Sequence, residues 1–118
     1  MAKKKIDTIP PKRASDNAQR ALEIRSKLPA SKKAMKDENG NDTTGVRTAR
    51  KLISRRSLSI DTIRTMRAWF ARHDTPDERA NRKKDKTSKA WQSWMAWGGD
   101  AGQRWSEYIM RRVENTEK

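Results

Sequence analysis

Residues 91–105 read WQSWMAWGGDAGQRW and hold four of the chain's five tryptophans. Aromatic side chains bury about 150–250 Å² each, so this stretch can supply much of a small core. The Gly98-Gly99 pair is typical of a helix end in which one glycine takes a positive φ, and Asp100 is a favoured helix N-cap. The sequence therefore predicts that two helices meet here and that the core closes around their junction.

The remainder of the chain is dominated by basic residues. Lys and Arg number 29 against 15 Asp and Glu, which gives the 118-residue chain a formal net charge of +14. Bases exceed acids in residues 1–36 and 44–118, whereas residues 37–43 contain three acids and no base. A net charge of this size repels itself, so the sequence predicts a partner that is a polyanion or an acidic protein surface.

Composition also excludes several classes of protein. Cysteine is absent, which excludes disulfides and thiol chemistry and removes the commonest sulfur ligand of zinc. No apolar run follows the basic start of the chain, so no secretory signal is predicted. No segment approaches the roughly 20 apolar residues of a membrane span, and no membrane partner is expected.

Residues 1–45 are predicted to form a basic arm, one weak helix and a polar linker. Pro10 and Pro11 disfavour helix near the start. A helix can begin with Ser15 as its N-cap, but its apolar stripe is thin, so the helix needs a surface to lie on. The end of this region, residues 37–45, is polar, contains glycine and is typical of a linker.

Residues 46–118 are predicted to form a tryptophan-rich helical module. Ser59 suits an N-cap, and Trp69 and Phe70 follow the 3.6-residue period of the helix after it. Thr75, followed by a proline and then by a glutamate at the third position, has the form of a capping box. No alternating strand pattern of any length occurs. The predicted fold is all-α, a small bundle of three or four helices with an extended basic N-terminal arm.

The tryptophans allow two interpretations. Aromatic rings interleaved with arginine can stack on unpaired bases. Burial is favoured, because a module of about 70 residues with few leucines needs tryptophan for its core. Trp97 lies off the stripe formed by Trp91 and Trp94 and is the candidate for an exposed anchor. The residues predicted to be structural are Ser59, Trp69, Phe70, Trp91, Trp94, Gly98, Gly99, Asp100 and Trp105.

No catalytic constellation is predicted. His73 is the only histidine and lies at a predicted helix end, where it suits the negative end of the helix dipole. Asp74, Asp77 and Glu78 could together bind a divalent ion, but capping explains two of them and the spacing fits no EF-hand loop. The glycines after Trp97 lack the preceding strand and the Gly-Lys-Ser/Thr ending of a phosphate-binding loop. We expect no enzyme activity, no metal and no cofactor.

Binding to a polyanion is expected to be electrostatic, salt-dependent and largely independent of sequence. No helix carries Asn, Gln or Arg in an arrangement typical of base reading, whereas charge that matches phosphate is abundant. Two basic clusters are the candidates, one in the arm and one in the loop after His73. Their residues are Lys3, Lys4, Lys5, Lys12 and Arg13 in the arm, and Arg79, Arg82, Lys83, Lys84 and Lys86 in the loop.

Three short motifs occur in the module. They are LSxDT at residues 58–62, FxRH at residues 70–73 and WGGDAGxxW at residues 97–105. Together they resemble a small helical cassette of tailed-bacteriophage structural and head-associated proteins. The resemblance covers residues 47 to about 110, and the third motif is its most specific part. Between His73 and Trp91 a segment rich in Lys and Arg replaces the Gly- and Pro-containing loop of the cassette, and residues 1–46 have no counterpart in it.

The resemblance implies a phage protein, and the charge implies a polyanionic or acidic partner. The expected function is that of a minor structural protein of a tailed-phage virion. Its helical module docks on capsid or portal-region proteins, in one or several copies, and its basic arms contact packaged DNA or acidic protein grooves. The expected location is the virion, or the host cytoplasm before assembly. The alternatives are a free, largely sequence-nonspecific nucleic-acid-binding protein acting during infection and an adaptor whose charge only tunes solubility.

Overall fold

A computed structural model describes residues 6–116 as an all-helical body. The six α-helices in this range are α1 (Lys12–Ser26), α2 (Thr44–Ser54), α3 (Ile60–His73), α4 (Pro76–Lys84), α5 (Lys89–Ala96) and α6 (Gly99–Thr116). A 3₁₀ turn, Ala30–Lys32, follows α1, and an isolated β-bridge joins Lys36 to Asp42. Residues 6–116 contain no strand, and none of these helices is long and apolar enough to cross a membrane.

The prediction of an all-α fold is confirmed, but the prediction of three or four helices is wrong, since residues 6–116 contain six. One reason is that α1 packs on α2, α5 and α6 and so belongs to the same body, and the other is local capping. The hydroxyl oxygens of Ser59, Thr75 and Ser88 each accept the backbone N–H three residues further on, at 3.1, 3.2 and 3.1 Å. The caps at Thr75 and Ser88 divide residues 76–96 into two short helices, α4 and α5.

Residues 1–45 are predicted to hold a basic arm, one weak helix and a polar linker, and residues 6–45, the described part, do not show an extended basic arm. Helix α1 begins at Lys12, so Ser15, predicted as the N-cap, is instead a buried residue inside the helix. The buried stripe of α1 faces α5 and α2 and includes Ala14, Ala18 and Ala21. Because alanine is small, the helices can approach closely. The surface that the thin apolar stripe needs is therefore provided by α5 and α2 of the same chain.

Helix α5 lies at the centre of the fold and contacts α1, α2, α4 and α6, while α3 packs on α6. It buries Trp91 and Trp94, and Trp97 directly follows its last residue. Trp97 is only 4% exposed and stacks on Trp69 with ring centroids 5.1 Å apart, so the prediction of an exposed anchor is wrong. The same core also contains Phe70, fully buried, and Trp105, partly buried.

A buried glutamine of α5 holds the segment that follows α1. Gln92 is 0% exposed, and its Oε1 accepts the backbone N–H of Ala34 at 2.9 Å. Its Nε2 donates to the carbonyl oxygens of Lys32 and Thr87 at 2.9 and 2.8 Å. A single side chain therefore satisfies three backbone groups from two segments that flank α5 in space.

The polar segment predicted as a linker is also anchored. Arg25 is largely buried and donates Nε to the carbonyl of Ala34 at 2.9 Å and Nη2 to Oδ1 of Asp42 at 2.8 Å. The remainder of residues 37–45 forms a turn and then enters α2 at Thr44. This short segment therefore joins α1 to α2 as a fixed connection with its own ion pair.

A tight turn at Gly98 and Gly99 joins α5 to α6. Their φ angles, +108° and +63°, lie in the region that glycine adopts without steric cost. A Cβ on Gly99 would lie 2.6 Å from Nδ2 of Asn17, so a side chain here would also displace the Asn17 amide from its bond to the carbonyl of Gly98. Asp100, predicted as the N-cap, lies instead in the first turn of α6, where its charge suits the positive end of the helix dipole.

Candidate polyanion-binding cleft

An open cleft of about 750 Å³ lies where α4, α5 and α6 meet. We call it the basic cleft. Five cationic side chains line it: Arg79, Arg82, Lys83, Lys86 and Arg104. The other lining residues are Asn17, Asp74, Trp91, Trp94, Met95, Asp100 and Gln103. Five cations thus share the cleft with two carboxylates, and its formal charge is positive.

Trp94 connects the three helices around the basic cleft. Its indole Nε1 donates to Oδ1 of Asp100 at 2.9 Å, which joins α5 to α6. The guanidinium carbon of Arg82 lies 3.8 Å from the Trp94 ring centroid, a cation–π contact that joins α5 to α4. Phe70 packs edge-on against the same ring, with centroids 4.8 Å apart. Because Trp94 is only 4% exposed, its ring positions the charges around it and offers little surface to a ligand.

Both carboxylate oxygens of Asp74 are occupied by side chains of the protein. Oδ2 accepts from Nε2 of Gln103 at 3.1 Å, and Oδ1 accepts from Nε of Arg79 at 3.0 Å. The Gln103 hydrogen bond, followed by the hydrogen bond and the charge of Arg79, lowers the pKa of Asp74. Burial lowers the pKa of Arg82, and the charges of Asp74 and Asp100 oppose that effect. Asp74 thus ties the end of α3 to α4 and α6.

Three of the five cations remain available to a ligand. Lys83, Lys86 and Arg104 are exposed, and none of them forms an ion pair within residues 6–116. They come from two sides of the cleft, since Lys83 lies on α4, Lys86 just after it, and Arg104 on α6. Ammonium and guanidinium groups in this arrangement can donate to the oxygens of a phosphate or a carboxylate. The cleft is therefore suited to hold an anionic group.

The structure brings four of the ten predicted binding residues together. These are Arg79, Arg82, Lys83 and Lys86, all in the basic cleft. Lys84 is exposed at the end of α4 and does not line the cleft. Lys12 and Arg13 are exposed in the first turn of α1, and Lys12 pairs with Asp16 at 2.9 Å. The remaining three, Lys3, Lys4 and Lys5, lie outside the described residues.

Sequence reasoning missed Arg104 and Asn17 as residues of the cleft. The helical period of α6 places Arg104 off the apolar face, but no local signal shows that this face lines the same cleft as α4. Asn17 donates Nδ2 to the carbonyl of Gly98 at 2.9 Å, a contact between residues 81 positions apart. The glycines indicated a turn, and only the packing of α1 on α5 reveals what the turn contacts.

His73 and the acids near it form a set of contacts between α3 and α4. The His73 ring stacks on Trp69 with centroids 4.4 Å apart, and its Nδ1 lies 3.0 Å from Oε1 of Glu78. Oε2 of Glu78 accepts from the hydroxyl of Thr75 at 3.3 Å, and that hydroxyl caps α4. Within residues 6–116, no group of three or more His, Asp or Glu side chains is placed to hold a metal ion.

Comparison with known proteins gave no match for this chain, whether against family models, curated proteins or solved structures. The features that bear on its function are the basic cleft, the charge of the chain and the motifs of the tryptophan-rich segment.

Proposed function

We propose that this chain is a non-enzymatic minor structural protein of a tailed-phage virion. Its helical body docks on capsid or portal-region proteins, and its basic surfaces contact packaged DNA or acidic protein grooves. It resides in the virion, or in the host cytoplasm before assembly. The phage assignment is supported by the resemblance of the three motifs, and the polyanion by the geometry of the basic cleft.

The observation that carries the proposal is the set of exposed cations in the basic cleft. A net charge of +14 spread evenly over a surface would only favour nonspecific attraction. Here Lys83, Lys86 and Arg104 converge on one cleft, while Asp74 and Asp100 are bonded to neighbouring side chains. This arrangement concentrates free positive charge at one place and supports a specific site for an anionic partner.

One observation supports the low sequence preference expected of the alternative, a free nucleic-acid-binding protein. Two amides line the cleft, and both are engaged within the protein. Gln103 donates to Asp74, and Asn17 donates to the carbonyl of Gly98. Reading of adenine by Asn or Gln requires a bidentate amide that is free to face the base. The cleft therefore offers charge for phosphates and no amide set for base reading.

The proposal is tested by two measurements. Mass spectrometry of gradient-purified particles should find the protein in the virion at a constant ratio to the capsid protein. The free protein should bind two duplexes of unrelated sequence equally, with log affinity falling by about 0.9 per phosphate contact for each unit of log salt. Salt-dependent binding together with absence from particles would favour the alternative. If the protein does not bind duplex DNA at low salt, or if its affinity does not change with salt, nucleic acid is not the partner. An acidic protein surface would then be the partner.

A further inference from the structure

We infer that the basic cleft binds the phosphodiester backbone of a base-paired duplex, and that it does not bind single strands through their bases. This inference rests on the proposed function for its polyanionic partner. It goes further because it distinguishes duplexes from single strands, which proteins bind through different contacts. Proteins that bind single strands stack exposed aromatic rings on unpaired bases, whereas duplex binding without sequence preference depends on phosphate contacts.

The aromatic rings of the cleft are not available for stacking. Trp91 and Trp94 are the only aromatic residues that line it, and they are 6% and 4% exposed. One face of Trp94 is covered by the Arg82 guanidinium at 3.8 Å, and its N–H is bonded to Asp100. A base could reach this ring only by displacing Arg82. Stacking adds about 1–3 kcal/mol per base to single-strand binding, and the cleft is built without that contribution.

Three other rings, those of Trp69, Trp97 and His73, are engaged elsewhere. Trp97 and Trp69 stack on each other with an interplanar angle of 13°, and His73 stacks on Trp69 as well. Tyr108 is the exposed aromatic residue of the described chain, at 52%, but it does not line the cleft. Its hydroxyl accepts from Nη1 of Arg112 at 2.9 Å. Tyr108 therefore serves as the test residue for any binding that depends on stacking.

The free cations favour the ligand of higher charge density. A duplex carries one negative charge per about 1.7 Å of its axis, and its binding releases about 0.9 counterion per phosphate contact, against about 0.7 for a single strand. Lys83 and Lys86 approach from the α4 side and Arg104 from α6, which suits a backbone lying along the cleft. A site that gains affinity from charge alone thus prefers paired strands.

The experiment measures binding of the full chain by fluorescence anisotropy between 50 and 200 mM salt. Each probe is about 20 nucleotides long per strand, a length chosen to allow about six to ten phosphate contacts. The probes are a DNA duplex, an RNA duplex of the same sequence and single-stranded oligo-dT. The cleft variant is Lys83→Gln/Lys86→Gln/Arg104→Gln. The matched control is Lys27→Gln/Lys51→Gln/Arg56→Gln, which removes the same charge from exposed positions outside the cleft. Tyr108→Ala is the stacking control.

The DNA duplex should bind at least about tenfold tighter than oligo-dT. Comparison of the DNA duplex with the RNA duplex shows which of the two nucleic acids supplies the phosphates. The cleft variant should lower the salt slope on duplex DNA by about 2–3, and the control variant by less than half as much. Tyr108→Ala should leave duplex affinity unchanged. Circular dichroism and the urea midpoint establish that each variant is folded.

Three results would overturn the inference, and they can be told apart. Equal decreases of the salt slope in the cleft and control variants would mean that charge over the whole surface binds the nucleic acid. The polyanionic partner of the proposed function would then stand, and the cleft would not be its site. Tighter binding of oligo-dT that is lost in Tyr108→Ala would mean a stacking surface on α6. No binding of any probe at 50 mM salt would overturn the proposed nucleic-acid partner together with the inference.

Discussion

Trp94 on α5 donates its indole N–H to the carboxylate of Asp100 in the first turn of α6, across 2.9 Å. The turn at Gly98 and Gly99 lies between them and brings the two side chains together. Both residues line the basic cleft. This hydrogen bond therefore links the stability of the helix junction to the charge of the candidate site.

Asp100→Ala should lower the free energy of unfolding by about 1–2 kcal/mol, because the indole loses a charged acceptor and α6 loses an acid from its first turn. Asp100→Asn keeps an acceptor oxygen and should lose less. Urea unfolding followed by circular dichroism measures both. Each variant also removes a negative charge from the cleft, so its affinity for duplex DNA should rise. An unchanged unfolding free energy in Asp100→Ala would show that the Trp94 bond contributes nothing.

Gly102 lies in the first turn of α6, close to the end of α5. A Cβ there would lie 2.5 Å from the carbonyl oxygen of Trp97, a backbone atom that cannot rotate away. Gly102→Ala should therefore cost about 1–3 kcal/mol, although alanine is the better helix former. Gly40→Ala is the control, because Gly40 has φ +82° in an exposed turn and its Cβ would meet nothing within 4 Å. That variant should lose only about 1–2 kcal/mol of backbone strain.

Thermal or urea unfolding of the two glycine variants compares a steric conflict with backbone strain alone. The loss at Gly102 should be the larger one and should be accompanied by changed near-ultraviolet ellipticity, since α6 must shift against the tryptophans. A smaller loss at Gly102 than at Gly40 would mean that the junction of α5 and α6 packs more loosely than described.

The parts of this fold that could be predicted from the sequence are the ones set by neighbouring residues. Ser59 and Thr75 cap helices through bonds to backbone groups three positions away, so each signal lies within a few letters. The turn at Gly98 and Gly99 is similarly local, because positive φ angles favour glycine whatever packs around them. Local chemistry of this kind identifies helix starts and turns without knowledge of the fold.

The parts that could not be predicted depend on contacts between distant segments. The alanine stripe of α1 looked too weak to fold, and its partner surface lies on helices that begin much later in the chain. Arg82 is predicted to bind a partner, yet it lies over Trp94, a ring for which the sequence favours a place in the core. Arg104 joins the basic cleft because α6 and α4 both pack on α5. No periodicity within one helix encodes such an arrangement.

Gln92 provides a test of the segment between α1 and α2. Gln92→Ala removes the partner of the buried Ala34 N–H and one partner each of the carbonyls of Lys32 and Thr87. An unsatisfied buried group costs about 1–3 kcal/mol, so the variant should be less stable by roughly that amount or more. Amide hydrogen exchange should accelerate most at Ala34. Gln19→Ala, an exposed residue that bonds only to Glu23 on α1, should change stability by less than about 0.5 kcal/mol.

If the exchange rate at Ala34 rises no more than the average over α5, the Gln92 bond is not what protects this amide. Uniform acceleration across all helices would instead indicate a loss of global stability, and the local anchoring of residues 30–36 would have to be attributed to Arg25.

The ion pair of Arg25 with Asp42 makes stability depend on pH in a definite direction. The hydrogen bond from Arg25, together with its charge, lowers the pKa of Asp42 in the folded state. A carboxyl group with a lowered pKa stabilises the fold fully above its unfolded pKa, about 3.9, and loses that contribution as pH falls through the folded pKa. The urea midpoint should therefore stay constant near neutral pH and fall below about pH 4.

Asp42→Asn should lower the urea midpoint at pH 7 and make its decline below pH 4 shallower than that of the parent protein, because asparagine has no proton to gain. The two curves should converge at low pH, where Asp42 is protonated in the parent. Glu38→Gln is the matched control, since it removes one negative charge from an exposed position in the same turn. Parallel curves for parent and Asp42→Asn across the whole range would show that the Arg25–Asp42 pair does not contribute to the acid sensitivity of the fold.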